Sequence, residues 1–257
     1  MNTVPTGRVP DTCEIKLSDL VRAEVTKIRA LPATWVALAL ALTADALLGL
    51  LAATDVVRLA GHDGQIAIAQ SGTVLLAPVY AFVAVPVFTA GGEYRGGQVR
   101  VSLLAVPDRN RFFLSKLLAI LGVLAVAVLP VVLPGGVAQH ALGDADAGEA
   151  VDALFTKAVA YLLLGLVAYG SAVLARTVVT PLAVLVVLPV LVSPLLRGLS
   201  PEVTRLLPHE ATLSFLGMPE GPDLALDRPV GLSVVLAWAV LSIGAAWAVT
   251  ARRDSCP

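Results

Sequence analysis

Charge is scarce in this chain. Asp, Glu, Lys and Arg make up 14% of its 257 residues, against about 25% in an ordinary soluble domain. A solvated surface over most of the protein is therefore excluded, and with a formal net charge of −1 no nucleic-acid partner is expected. Cysteine is nearly missing: Cys13 and Cys256 stand close to the two ends, so no disulfide framework is expected. The three histidines, His62, His140 and His209, lie far apart. A metal site would require distant loops to converge on one point, and a loop histidine is ordinarily solvated. Catalytic signatures are lacking too. There is no G-x-x-x-x-G-K-[ST] phosphate loop, no H-E-x-x-H (His209-Glu210 stands alone) and no G-x-S-x-G elbow. The chain is expected to be no enzyme and to bind no cofactor of its own. A cleavable leader is also not expected, because the first apolar run begins near Ala33, after a long charged segment, and has no small-residue cleavage site.

What is present in quantity is apolar length. Trp35–Ala53, Gly72–Ala90, Phe112–Leu133, Ala158–Ala175, Val178–Leu196 and Val230–Val249 are each close to the roughly 20 apolar residues that cross a bilayer as a helix. Asp45 and Lys116 are the charged residues inside them. The fold class expected is an all-α membrane protein: six transmembrane helices in a single domain, with both termini cytosolic. The orientation follows from basic residues. With the N-terminus inside, thirteen of the eighteen Lys and Arg fall on inner segments, while eleven of the nineteen acids fall outside. The expected location is the cell membrane.

Between the runs, residues 14–31 read as an interfacial helix. Leu17, Val21, Val25, Ile28 and Leu31 form a helical stripe among charged neighbours, and Pro32 stops or kinks it. The acidic segment Pro134–Lys157 and the long segment 198–229 fall outside, and Ala211–Met218 is apolar enough to dip back into the membrane. A tight inner turn is expected around Arg176–Val179. Pro181, Pro189 and Pro194 mark the fifth span as a candidate for kinking.

Two features carry functional content. Asp45, halfway along the first span, costs roughly 2.5–3.5 kcal/mol to insert as a charge and must face protein or water. It is either a polar contact in a translocation path or a carboxyl that packs spans together, with Thr43 nearby. The second feature is the inner segment 92–116. Glu93 and Arg95 end the second span, Gly96-Gly97 permit a turn, and a short helix over about 98–105, containing Arg100, Leu103 and Leu104, precedes Pro107. Arg109, Arg111 and Lys116 are expected to snorkel to headgroups. A positive-inside loop accounts for the arginines but not for the acid, the glycine pair and the apolar helix.

In this order of residues the segment resembles the cytosolic loop of ABC-2 type permeases, the membrane subunits of one class of ABC exporter. Glu93, Gly97, Leu103, Leu104, Pro107, Arg109 and Lys116 match, with Gln98 where the family usually has threonine. Glu24, Lys27 and Trp35 resemble the family's interfacial helix leading into the first span. The resemblance implies an ATPase-coupling loop carried by Glu93, Arg95, Gly96, Gly97, Arg100, Leu103 and Leu104, and a substrate pathway beside Asp45. It also implies a second permease copy or homologue, and a separate ATP-binding subunit that uses ATP and Mg. The cargo would be a drug, peptide or lipid-like molecule. An ATP-independent transporter working through Asp45, or a membrane scaffold or sensor subunit, are the competing expectations.

Overall fold

The computed structural model describes residues 16–54, 58–61, 64–95, 108–142 and 146–252. It opens with α1 (Leu17–Ala30), whose apolar stripe turns Ile28 inward. Leu31 is extended, and Pro32 begins α2 (Pro32–Thr54) at a position where its missing N–H is not needed. The indole of Trp35 donates to the Arg29 carbonyl at 2.8 Å and fixes the elbow. The stretch after α2 contains an antiparallel ribbon, β1 (Arg58–Gly61) and β2 (Gly64–Ala67), with Arg58 opposite Ala67 and Gly61 opposite Gly64.

The remaining helices are α3 (Gly72–Leu76) running into α4 (Pro78–Arg95), then α5 (Arg109–Leu142), α6 (Ala147–Ala175), α7 (Val179–Val187) and α8 (Ser193–Arg197). They are followed by α9 (Pro201–Thr204), α10 (Pro208–Phe215) and α11 (Arg228–Arg252). Among the described residues, six helical segments are long and apolar enough to cross a bilayer, making this a multi-pass membrane protein: 32–54, 72–94, 109–142, 147–175, 179–197 and 228–252. Trp35, Leu47, Val126 and Leu241 point outward from them, more than half exposed, as a lipid solvent allows.

One departure from expectation and two details at expected places have physical causes. The third span does not end near Leu133 but continues through Pro130 and Pro134 to Leu142, so most of the expected outer segment Pro134–Lys157 is helix. A proline removes one local hydrogen bond, and the packed neighbours hold the rest. In the fifth span the chain widens into a π-turn, Leu188–Val192, around Pro189, which donates no N–H. Segment 198–227 folds back beside α11. All eight residues of α10 are buried, beginning three residues before the expected Ala211. The Trp238 indole donates to the Leu206 carbonyl at 2.9 Å. Trp238 lies ten residues into α11, about 15 Å from its start at 1.5 Å per residue.

The helices α4 and α6 form the centre, with the Phe82 and Tyr161 rings 5.4 Å apart and both fully buried. The helices α2 and α5 approach backbone to backbone at Gly49 and Gly135, where a side chain on either would overlap the other helix. The turn from α6 to α7 occurs where expected, through Arg176 in the left-handed region (φ 54°). The helix α1 packs along α5, and Trp247 near the end of α11 donates to Asn110 at 3.0 Å. The helix α1 and the last turns of α11 therefore sit at the same end of the bundle.

Candidate functional site

Three charged clusters lie inside or against the bundle. The first is at the end of the bundle where α1 and the last turns of α11 lie. The Lys116 ammonium stands 2.5 Å from Glu93 Oε1 and 2.9 Å from Glu24 Oε2. Lys27 reaches Glu24 at 2.6 Å and Glu93 at 3.8 Å. Lys116 also lies 4.9 Å above the Phe112 ring. The geometry follows from helical phase: Glu24 and Lys27 share one face of α1, one turn apart, Glu93 is in the last turn of α4, and Lys116 is in the second turn of α5.

Lys116, Glu24 and Glu93 are only 13–14% exposed. Lys116 thus does not snorkel to headgroups. It is drawn inward by two carboxylates. Burial pushes the Glu24 carboxyl up, but Lys116 and Lys27 outweigh it and hold the group below its ordinary value. Glu93 meets Lys116 and Lys27.

The cluster ties three elements together at the two anchor points of segment 96–107. Arg95 closes α4. The other expected coupling residues, Gly96, Gly97, Arg100, Leu103 and Leu104, lie outside the described residues.

The second cluster surrounds Asp45, which is 1% exposed. Its Oδ1 is 2.5 Å from Lys157 and accepts from the Tyr161 hydroxyl at 3.3 Å. Lys157 and Tyr161 are four residues apart on one face of α6, and Gly135 of α5 closes the remaining side. Asp45 therefore faces protein and locks α2 to α6. Thr43 does not take part: its hydroxyl bonds the Ala39 carbonyl of its own helix and is exposed. Sequence reasoning missed Lys157 because it stands one residue before the apolar run begins. The spacing Lys157-x-x-x-Tyr161 was the available signal. Lys157 also lines a cavity of about 570 Å³ that opens at the opposite end of the bundle from α1.

The third cluster was not foreseen. His209 is not solvated. It is 6% exposed, with its Nδ1 2.9 Å from the Tyr80 hydroxyl and its Nε2 3.3 Å from Thr73 Oγ1. Glu210, 1% exposed, accepts from Ser193 and from Arg197 at 2.8 Å. Arg197 leans 3.9 Å from Glu220, which caps the Thr73 amide at 2.8 Å. Five separated segments supply these residues, so no local pattern announced them beyond the His209-Glu210 pair. The cluster pins α10 to α3, α4 and α8.

Burial pushes the His209 imidazole down to about 4, with Arg197 acting in the same sense and Glu210 and Glu220 opposing. The unfolded chain, near 6.5, protonates first. Stability from neutral His209 is complete above about pH 6.5 and is lost as pH falls toward 4, roughly 3 kcal/mol in all. Thermal unfolding between about pH 7.5 and 4.5 should show this slope, and His209→Gln should flatten it. An unchanged slope in that variant would assign the acid sensitivity to another group.

Comparison with protein-family models and with curated proteins found no match.

Proposed function

We propose that this chain is the membrane-spanning permease subunit of an ATP-driven ABC transporter of the ABC-2 type, with hydrolysis supplied by a separate ATP-binding subunit. The observation that carries this reading is the meeting of Glu24, Lys27, Glu93 and Lys116 in one cluster. These four residues, distant in sequence, are among those on which the resemblance rests. Their contact makes mechanical sense of it. A force applied to segment 96–107 would reach α4 and α5 at its anchors and α1 through the ion pairs, so the three would move as one body.

In this reading the end bearing α1 and the last turns of α11 is cytosolic, as the basic bias indicates, and the membrane is the cell membrane. The 96–107 segment seats in the ATPase. A second copy or a homologue completes the path for a drug, peptide or lipid-like substrate. Asp45 serves as a clamp between α2 and α6. Its tight pairing with Lys157 favours this over a proton-carrying role in an ATP-independent transporter.

The test is copurification of the ATP-binding subunit together with transport-stimulated ATP hydrolysis. The double change Leu103→Asp/Leu104→Asp should abolish docking, because it places two charges in the expected apolar contact. Normal docking and transport by that variant would remove the main support for the assignment. In sealed cells an impermeant thiol reagent should spare Cys13 and Cys256 and label both after lysis. Labelling before lysis would reverse the orientation.

A further inference from the structure

A cavity of about 360 Å³ adjoins the Glu24–Lys116–Glu93 cluster. It is amphipathic. Glu24, Lys27, Glu93 and Lys116 form one part of its lining, and Ile28, Leu31, Phe88 and Ile120 form another. Tyr169 closes it from α6. That side chain is 2% exposed, and its hydroxyl has no hydrogen-bond partner among the described residues. A buried hydroxyl without a partner is costly, and this one borders a space large enough for a ligand group.

We propose that the cavity binds the headgroup of a zwitterionic phospholipid drawn from the surrounding bilayer. Three observations converge on that occupant. The first is charge. The four ionic side chains alternate in sign, Lys27, Glu24, Lys116, Glu93, and sum to zero. A headgroup with net charge would unbalance an array of which three members, Lys116, Glu24 and Glu93, are largely shielded from water, whereas a phosphate and an ammonium on one molecule match it part for part.

The second observation is depth. The amphipathic helix α1 leads through the Leu31 elbow into α2, and Trp35 and Trp247 stand at this end of the bundle. That is the arrangement by which membrane proteins mark the headgroup layer. The third is the mouth. Leu31 lines the cavity and is itself 37% exposed, so the opening lies at the α1–α2 elbow, where acyl chains can continue outward along apolar surface. The Tyr169 hydroxyl then donates to a phosphate oxygen.

This inference goes beyond the transport reading and needs no ATPase to be tested. The full chain, purified in mild detergent, is titrated with phosphatidylethanolamine, phosphatidylcholine or phosphatidylglycerol. Bound lipid is read by native mass spectrometry and thermal unfolding. The two zwitterionic lipids should be retained and should raise the melting temperature by mass action, with phosphatidylglycerol bound about tenfold more weakly. Tyr169→Phe should unfold at the wild-type temperature or slightly above it without lipid, because it deletes an unpartnered hydroxyl. It should lose about tenfold in phosphatidylethanolamine affinity, equivalent to about 1.4 kcal/mol. Ala90→Leu, which adds bulk to the cavity wall, should abolish retention and provides an independent check should Tyr169→Phe fold poorly. Equal retention of all three lipids, or retention unaffected by both variants, overturns the proposal. Soluble glycerophosphoethanolamine binding as tightly as the intact lipid overturns the bilayer as the source.

Discussion

Lys116→Met is expected to lower stability by about 3 kcal/mol, at the lower edge of the 3–5 kcal/mol typical of a broken buried pair. The change leaves Glu24 and Glu93 facing each other across the space that the ammonium filled, with only the half-exposed Lys27 to offset them. For a chain of this length that is a drop of roughly 6–12 °C in melting temperature, measurable in detergent. The triple change Lys116→Met/Glu24→Gln/Glu93→Gln should recover most of the loss, because no buried carboxylate is then left facing another and the one remaining charge of the cluster, Lys27, is half-exposed to water. The two variants separate folding from mechanism. On the proposed transporter reading, a cluster that transmits force predicts a triple variant that folds and binds the ATP-binding subunit, with the complex hydrolysing ATP without transport. Full transport by the triple variant would make the cluster a packing device only, and a melting point for Lys116→Met within a degree of wild type would show that it is not even that.

Asp45→Leu is expected to be the more damaging single change, costing about 3–5 kcal/mol. Asp45 is enclosed by α5 and α6, and its removal strands the Lys157 ammonium, 17% exposed, against an apolar face. The added methyls of leucine also press on Gly135, where the helices already touch. Expression and melting temperature should both fall. Asp45→Asn/Lys157→Gln should return close to wild type, since two neutral amides can keep a hydrogen bond and take no charge out of water. If Asp45→Leu alone is as stable as wild type, the pair contributes nothing to holding α2 on α6. If the double variant folds well but transport stops, Asp45 belongs to the substrate path after all.

The class of the protein was readable residue by residue. A bilayer demands about 20 apolar residues per crossing, and that demand is met by composition along the chain, so the six spans could be placed within a few residues of their centres. The interfacial helix α1 was equally plain, because an amphipathic stripe is a local periodicity. Helix ends were less plain. The third span runs on to Leu142 since packing, not hydropathy, decides where a helix stops once prolines are sheltered by neighbours.

Of the three clusters, the sequence named the members of the first and Asp45 of the second, but not the third, and few of the partners. It named Glu24, Lys27, Glu93, Lys116 and Asp45. It did not show that Lys116 bridges two carboxylates, that Asp45 is neutralised by Lys157, or that His209 and Glu210 are buried under α3, α4 and α8. Those pairings join residues 13 to 136 positions apart, and depend on helix rotation and on which spans lie side by side. Hydropathy is indifferent to both, because lipid and protein interior are equally apolar surroundings for a helix. A chain's apolar lengths are therefore enough to say that it crosses a membrane six times, whereas which charge neutralises which is decided only when the helices pack and every ion taken out of water must find its counter-ion.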